Sequence, residues 1–247
     1  MEIHHPKIKK KNLKEYLLEG LMIFLAVTLG FLAENLREHF TDRSKERQYI
    51  AGFIRNLKDD TADLKHVIES DRNQVKGLDS MLNLAHMNMA IDSNRKLFYH
   101  FATQYLYNSA SFESNDVTLQ QLKSTGDFRL IEKDHVADSL VKYDAQIRRI
   151  YGQGAFYEAY FKEILSRLDE LTDMTVFKGS SFAAEAITMN KPFPKLRDDN
   201  GKLATLFNKI FDFQKISQAY IEYYLEIQLV NARGLIVFLR KEYGIED

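Results

Sequence analysis

Glu132 and His135 have the Glu-x-x-His spacing that puts two metal ligands on one face of a helix. A carboxylate-bridged di-metal bundle needs a second such pair and two further carboxylates. The comparable pair here, Asp63-x-x-His66, carries the wrong acid on a densely charged stretch, so chance spacing is the favoured reading and no metal or other cofactor is expected. His4-His5 lies in a basic tail and would bind metal only adventitiously. Gly152-x-Gly154 has no strand–turn–helix around it for phosphate binding, and Ser180-Ser181 has no G-x-S-x-G elbow. The carboxylate pairs Asp59-Asp60 and Asp198-Asp199 read as solvated surface. With no cysteine anywhere, thiolate catalysis, disulfides and cysteine metal sites are excluded. No pattern specifies an enzyme, and none is expected.

The elements around these residues are helical. Three prolines and eleven glycines in 247 residues, with 28% of side chains charged, fit a helical protein better than a β-rich one. The net charge of −1 provides no basic footprint, so nucleic acid is not an expected partner.

Leu17–Ala33, LLEGLMIFLAVTLGFLA, organises the rest. Gly20 to Ala33 is free of charge, and eight of those fourteen residues are Leu, Ile, Val or Phe. At the insertion values of such residues they supply roughly −3.5 kcal/mol, part of which Glu19 offsets. Glu19 and Glu34 lie roughly 22 Å apart along a helix, against about 30 Å of hydrocarbon, so a span here is short. Tyr16 and Lys14 suit an interfacial edge. Ala26, Gly30 and Ala33 share one face, a small-xxx-small spacing open to close contact with a second membrane helix. A cleavable signal peptide is disfavoured because Phe31 occupies the −3 position before Ala33. A buried core helix is the stronger rival.

Lys7, Lys9, Lys10, Lys11 and Lys14 precede the run, while Arg37, Arg43, Lys45 and Arg47 follow it among acids. The denser basic side predicts residues 1–16 as a cytoplasmic tail, 17–34 as the membrane helix and 35–247 as a helical domain outside the inner membrane. The expected partners are the lipid bilayer and either a second copy or another membrane protein.

Ile50, Ile54, Leu57, Thr61, Leu64, Ile68, Asp71, Val75, Leu78 and Leu82 step by four and three, which is coiled-coil spacing with two polar interruptions. A parallel dimer stalk and a helix packed on its own domain both fit, and Phe53 beside the seam favours the second. Further helices are expected at 94–107, capped by Asp92 or Ser93, and after Asn115 or Asp116 up to Gly126. Longer ones are expected at about 132–173, with a weak point at Gly152 and Gly154, and at about 202–243. Residues 174–201 form an irregular insert whose Asp198–Gly201 is a turn signal. The fold class is therefore all-α: an N-terminal transmembrane helix running into a bundle of long helices with one irregular loop region.

The basic start, Leu17–Ala33 and the charged exit Glu34–His39 resemble an uncharacterised family of bacterial single-span membrane proteins. Val117–Ile131 followed by Leu140-Val-Lys-Tyr143 resembles that family's second block: a short helix, a Ser-x-Gly turn, Leu-Ile, then a helix reaching a tyrosine. Phe128-Arg129 departs from the usual pair there. The resemblance covers about a third of the chain and implies a place in a bacterial inner membrane but no activity. In physical terms Leu122, Phe128, Leu130 and Ile131 would plug a turn into the bundle while Gly126 supplies a positive φ. Two functions are weighed. One is a membrane-anchored module acting through protein partners or self-association; the other is a ligand-sensing bundle that signals through a separate partner.

Overall fold

The computed structural model describes residues 12–107, 110–178, 192–198 and 200–246. Lys7 to Lys11, His4-His5, Ser180-Ser181 and Asp199 lie outside them, as does half of the irregular insert. The described residues are helical and contain no strand. They form α1 (Leu13–Leu82), α2 (Asp92–Tyr105), α3 (Val117–Thr125), α4 (Asp134–Leu171), α5 (Lys202–Tyr220) and α6 (Glu226–Tyr243). The chain divides into two compact units, one up to Tyr49 and one from Ile50.

In the first unit α1 begins after Asn12, whose backbone N–H donates to Glu15 Oε2 at 3.1 Å and whose carbonyl accepts the first helical bonds. An 18-residue window of α1 has mean hydropathy 2.0 and is 0% buried. This is one helix long and apolar enough to cross a membrane. In the apolar run the Leu, Ile and Phe side chains are exposed all round, and Ala26, Gly30 and Ala33 are exposed with them. A soluble core helix of this composition would be buried, so the core-helix rival loses its main support.

In the second unit α1, α4 and α5–α6 form the long helices of a bundle. Tyr143 and Tyr157 of α4 bond to Asp60 and Gln74 of α1, which runs these helices in the same direction. Lys133 meets Glu242, and Tyr160 meets Asp212, so α5–α6 runs against α4. The predicted heptad seam is spent inside this bundle: Ile50, Ile54, Leu57, Leu64, Ile68, Asp71 and Leu78 are buried. Burial widens to Phe53, Asp60, Val67, Gln74 and Met81, the broad stripe of a helix packed on two sides. The seam is therefore not free to form a dimer stalk.

One end of the bundle is aromatic. Phe98, Tyr99, Phe161, Phe207 and Phe213 pack with Leu78, Met81 and Ile210, and each such side chain contributes about 1.5–3 kcal/mol on burial. Glycine permits one close crossing here. A Cβ on Gly77 would lie 2.2 Å from the Tyr105 ring. The cap expected of Asp92 is not made. The helix starts at Asp92 itself, whose carboxylate instead accepts from Arg95 and from the Phe193 amide at 2.9 Å. Buried Arg95 also donates to the Phe193, Met89 and Ala90 carbonyls, which pins residues 192–198 of the insert onto α2.

Gly152 and Gly154 could mark a kink or a tightly packed crossing; α4 is continuous from Asp134 to Leu171, so the helix is not broken there, and the contact at the pair is an ordinary one. Gly154 lies against the Tyr220 hydroxyl, and Gly152 faces open space. The last helix, expected to run unbroken, is interrupted by a π-helical turn at Ile221–Leu225 directly after Tyr220. Asn200 and Gly201 have φ of 57° and 74°, the left-handed turn that their sequence signals.

Candidate functional site

Asp60 sits on the buried stripe of α1, three residues after Leu57 and four before Leu64, and is 2% exposed. Its carboxylate accepts from the Ser114 hydroxyl at 2.7 Å, the Asn115 amide at 2.6 Å and the Tyr143 hydroxyl at 2.6 Å. These donors come from the segment before α3 and from α4, so one carboxylate ties three parts of the chain together. Flanking groups repeat the pattern. Asp59 accepts from the Asn115 side chain, Asn56 from the Thr118 amide, and Tyr151 from the Ser114 amide, at 2.9, 3.2 and 2.9 Å. Asp63 accepts from the Glu113 amide. The solvated-surface reading of Asp59-Asp60 is thus corrected, because Asp60 is an internal anchor. The signal was present in its spacing within the apolar series, which outweighs its charge.

Above this anchor lies a cleft of about 330 Å³ between α1, α3 and α4, with Phe53, Leu57 and Ile147 on its apolar side and Tyr151, Asp116 and Arg148 on its polar one. Burial raises the Asp60 pKa, and the bonds from Tyr143, Ser114 and Asn115 pull it back only in part. Burial, reinforced by the Asp60 charge, drives the Tyr143 phenol far above its ordinary value, so Tyr143 donates a hydrogen bond and is unsuited to act as a base or nucleophile. Lys123 bonds Asp144 at 3.0 Å and Arg148 pairs with the same carboxylate. Both cations of the cleft are thus matched by Asp144.

A second polar centre lies further along α1. Asp71 is 2% exposed, and burial alone pushes its carboxyl up to about 7. Its charge acts on Tyr157 and Tyr220, the latter pushed up to about 12, chiefly by its own burial. Nearby Gln74 accepts from the Tyr157 hydroxyl at 2.8 Å and donates to the Tyr105 carbonyl at 2.8 Å, while Gln214 donates to the Val75 carbonyl. Gln228 is fully buried, and neither polar atom of its amide has an aligned partner among the described residues. It still lies near enough to Tyr143 to affect that phenol's titration.

The residues singled out from sequence go elsewhere. His135 Nε2 lies 3.1 Å from Glu242 Oε2, which also takes Lys133 at 2.9 Å, so this pair fastens the start of α4 to the end of α6. Lys133, then His135, holds the Glu242 carboxyl below its usual range. Glu132 brings no further ligand: among the described residues no group of three His, Asp or Glu is placed to hold a metal. Leu122, Leu130 and Ile131 are buried around Gly126, which ends α3 with φ 73°. Phe128 is half-buried.

No family model, curated protein or solved structure matches this chain.

Proposed function

We propose that this chain is a membrane-anchored helical protein of the bacterial single-span type, working through protein contacts or self-association and not through catalysis. The observation that carries this reading is the apolar window of α1, with mean hydropathy 2.0 and no burial. Surface of that kind is stable in hydrocarbon and costly in water. The lysines before it favour a cytoplasmic N-terminus and a domain on the far side of the inner membrane. The resemblance carried by Leu17–His39 and Val117–Tyr143 points the same way.

The test uses the full chain in bacterial membranes. It stays in the pellet after alkaline carbonate, and protease added to spheroplasts digests the domain from outside. Release by carbonate overturns the anchor, and digestion only after lysis overturns the orientation. Purification in mild detergent yields a mass above that of one chain. A lone monomer removes the self-association half of the proposal.

The cleft above Asp60 supports a second reading, a sensor of a small polar ligand. A ligand seated there raises the melting temperature in proportion to ln(1 + [L]/Kd). That rise is absent when Tyr151→Ala opens the wall.

A further inference from the structure

Gly234 stands in the middle of α6, where glycine costs a helix stability relative to alanine. Nothing inside the chain asks for it there. Its φ is not positive, and a Cβ on it would meet nothing within 4 Å. The space it leaves open belongs to a groove of about 690 Å³ between α4 and α6.

The two walls of this groove differ. On the α4 side Lys142, Gln146 and Arg149 step by four and three, so they share one face of the helix. Asn231 of α6 joins them. None of these four side chains has a hydrogen bond or ion pair among the described residues. No carboxylate lines the groove, and Asp144 is already taken by Lys123 and Arg148. On the α6 side Gly234, Leu235 and Phe238 are apolar. Because α4 runs against α6 and His135 packs on the Phe238 ring, Phe238 marks one end of the groove. Lys142 and Arg149 lie seven and fourteen residues further along α4 from His135, towards the other end. The groove is thus cationic towards one end and apolar towards the other.

We propose that this groove binds an anionic amphiphile: a carboxylate or phosphate head carrying a single aliphatic tail. The head lies between Lys142 and Arg149, a point charge and a fork that each accept either anion, and the Gln146 and Asn231 amides donate to it. The tail passes over Gly234, where any side chain would stand in its way, and ends against Leu235 and Phe238. A cationic ligand would find no counter-charge, and a wholly apolar one would leave both cations unmatched while desolvating them. The volume is that of an ordinary small-molecule site. The groove shares only Tyr143 with the cleft above Asp60, and its occupancy depends on neither the sensor reading nor the anchor.

The test uses the full chain in phosphatidylcholine nanodiscs and a decanoate with a diazirine near the end of its tail. After irradiation, adducts read by mass spectrometry map to residues 230–238. Unlabelled octanoate or octyl phosphate displaces the probe, and whichever does so names the head; octyltrimethylammonium does not. Lys142→Gln combined with Arg149→Gln lowers α6 labelling about tenfold. Gly234→Leu fills the groove without touching the chain's own atoms and has the same effect. Because Lys142, Arg149 and Gly234 are exposed, both variants keep their melting temperature. Labelling of Leu17–Ala33, where the probe meets the bilayer, stays unchanged and serves as the internal control. Adducts confined to that run overturn the proposal. So does α6 labelling that survives both variants, or displacement by octyltrimethylammonium as strong as by either anion.

Discussion

Asp60 and Asp71 sit eleven residues apart on one helix, both 2% exposed, and their surroundings treat them in opposite ways. Asp60 receives two hydroxyls and a backbone amide, and those bonds pull back a pKa that burial raises. Asp71 receives no such offset, and burial alone carries its carboxyl to about 7. A buried carboxylate is tolerated where donors replace water, and it neutralises where they do not. The first aspartate therefore acts as a structural pin. The second is a carboxyl that burial pushes towards its neutral form in the middle of the bundle, three residues from Gln74, its charge acting on Tyr157 of α4 and on Tyr220 just before the π turn. π turns recur where a helix accommodates a local strain or function, and this one begins at the residue after Tyr220.

The contrast can be broken from either side. Asp60→Ala leaves Ser114, Asn115 and Tyr143 without their acceptor and destabilises the domain by about 3 kcal/mol in urea unfolding of the detergent-solubilised chain. A loss below about 1 kcal/mol would mean that water replaces the carboxylate without penalty.

Asp71→Asn acts in the opposite sense. In the unfolded chain this carboxyl titrates near 3.9, whereas in the folded protein it does so near 7. Between those values the unfolded state gives up its proton while the folded state keeps it, so stability falls as pH rises from about 4 to about 7 and is level above that. The asparagine variant removes the cost: it is more stable than the parent by about 4 kcal/mol at pH 8 and nearly equal to it at about pH 4. Parallel pH profiles for the two proteins would show that Asp71 is solvated in the folded state.

Tyr151→Phe gives the smallest change. It deletes the acceptor of the Ser114 amide at the cleft rim, where water can step in, and costs about 0.5 kcal/mol by the same unfolding measurement. An effect as large as that of Asp60→Ala would place the weight of the loop on the rim and not on its buried pin.

The glycines divide in a similar way. Gly152 and Gly154 form a Gly-x-Gly pair, yet one faces open space and the other only touches the Tyr220 hydroxyl. Gly77 and Gly52 stand singly inside the heptad stretch, and there a side chain would collide with Tyr105 or Thr118. The reason for Gly77 and Gly52 is a neighbour distant in sequence, and no local pattern reveals it.

By itself the sequence determined what depends on local periodicity and composition. The apolar run of α1, the all-helical class and the turns at Gly126 and Gly201 all follow from neighbours within a few residues. Tertiary structure decided which charges are buried and which apolar rows are left outside. Asp59-Asp60 looks like one solvated pair in the chain, but a three-residue step within a packed helix turns Asp60 inward to meet Ser114, Asn115 and Tyr143, more than fifty residues away. The heptad series of α1 and the row Tyr223, Ile227, Val230, Gly234 and Val237 of the π turn and α6 have the same spacing. Only packing, which surrounds one with α4 and leaves the other uncovered, makes the first a core and the second a surface.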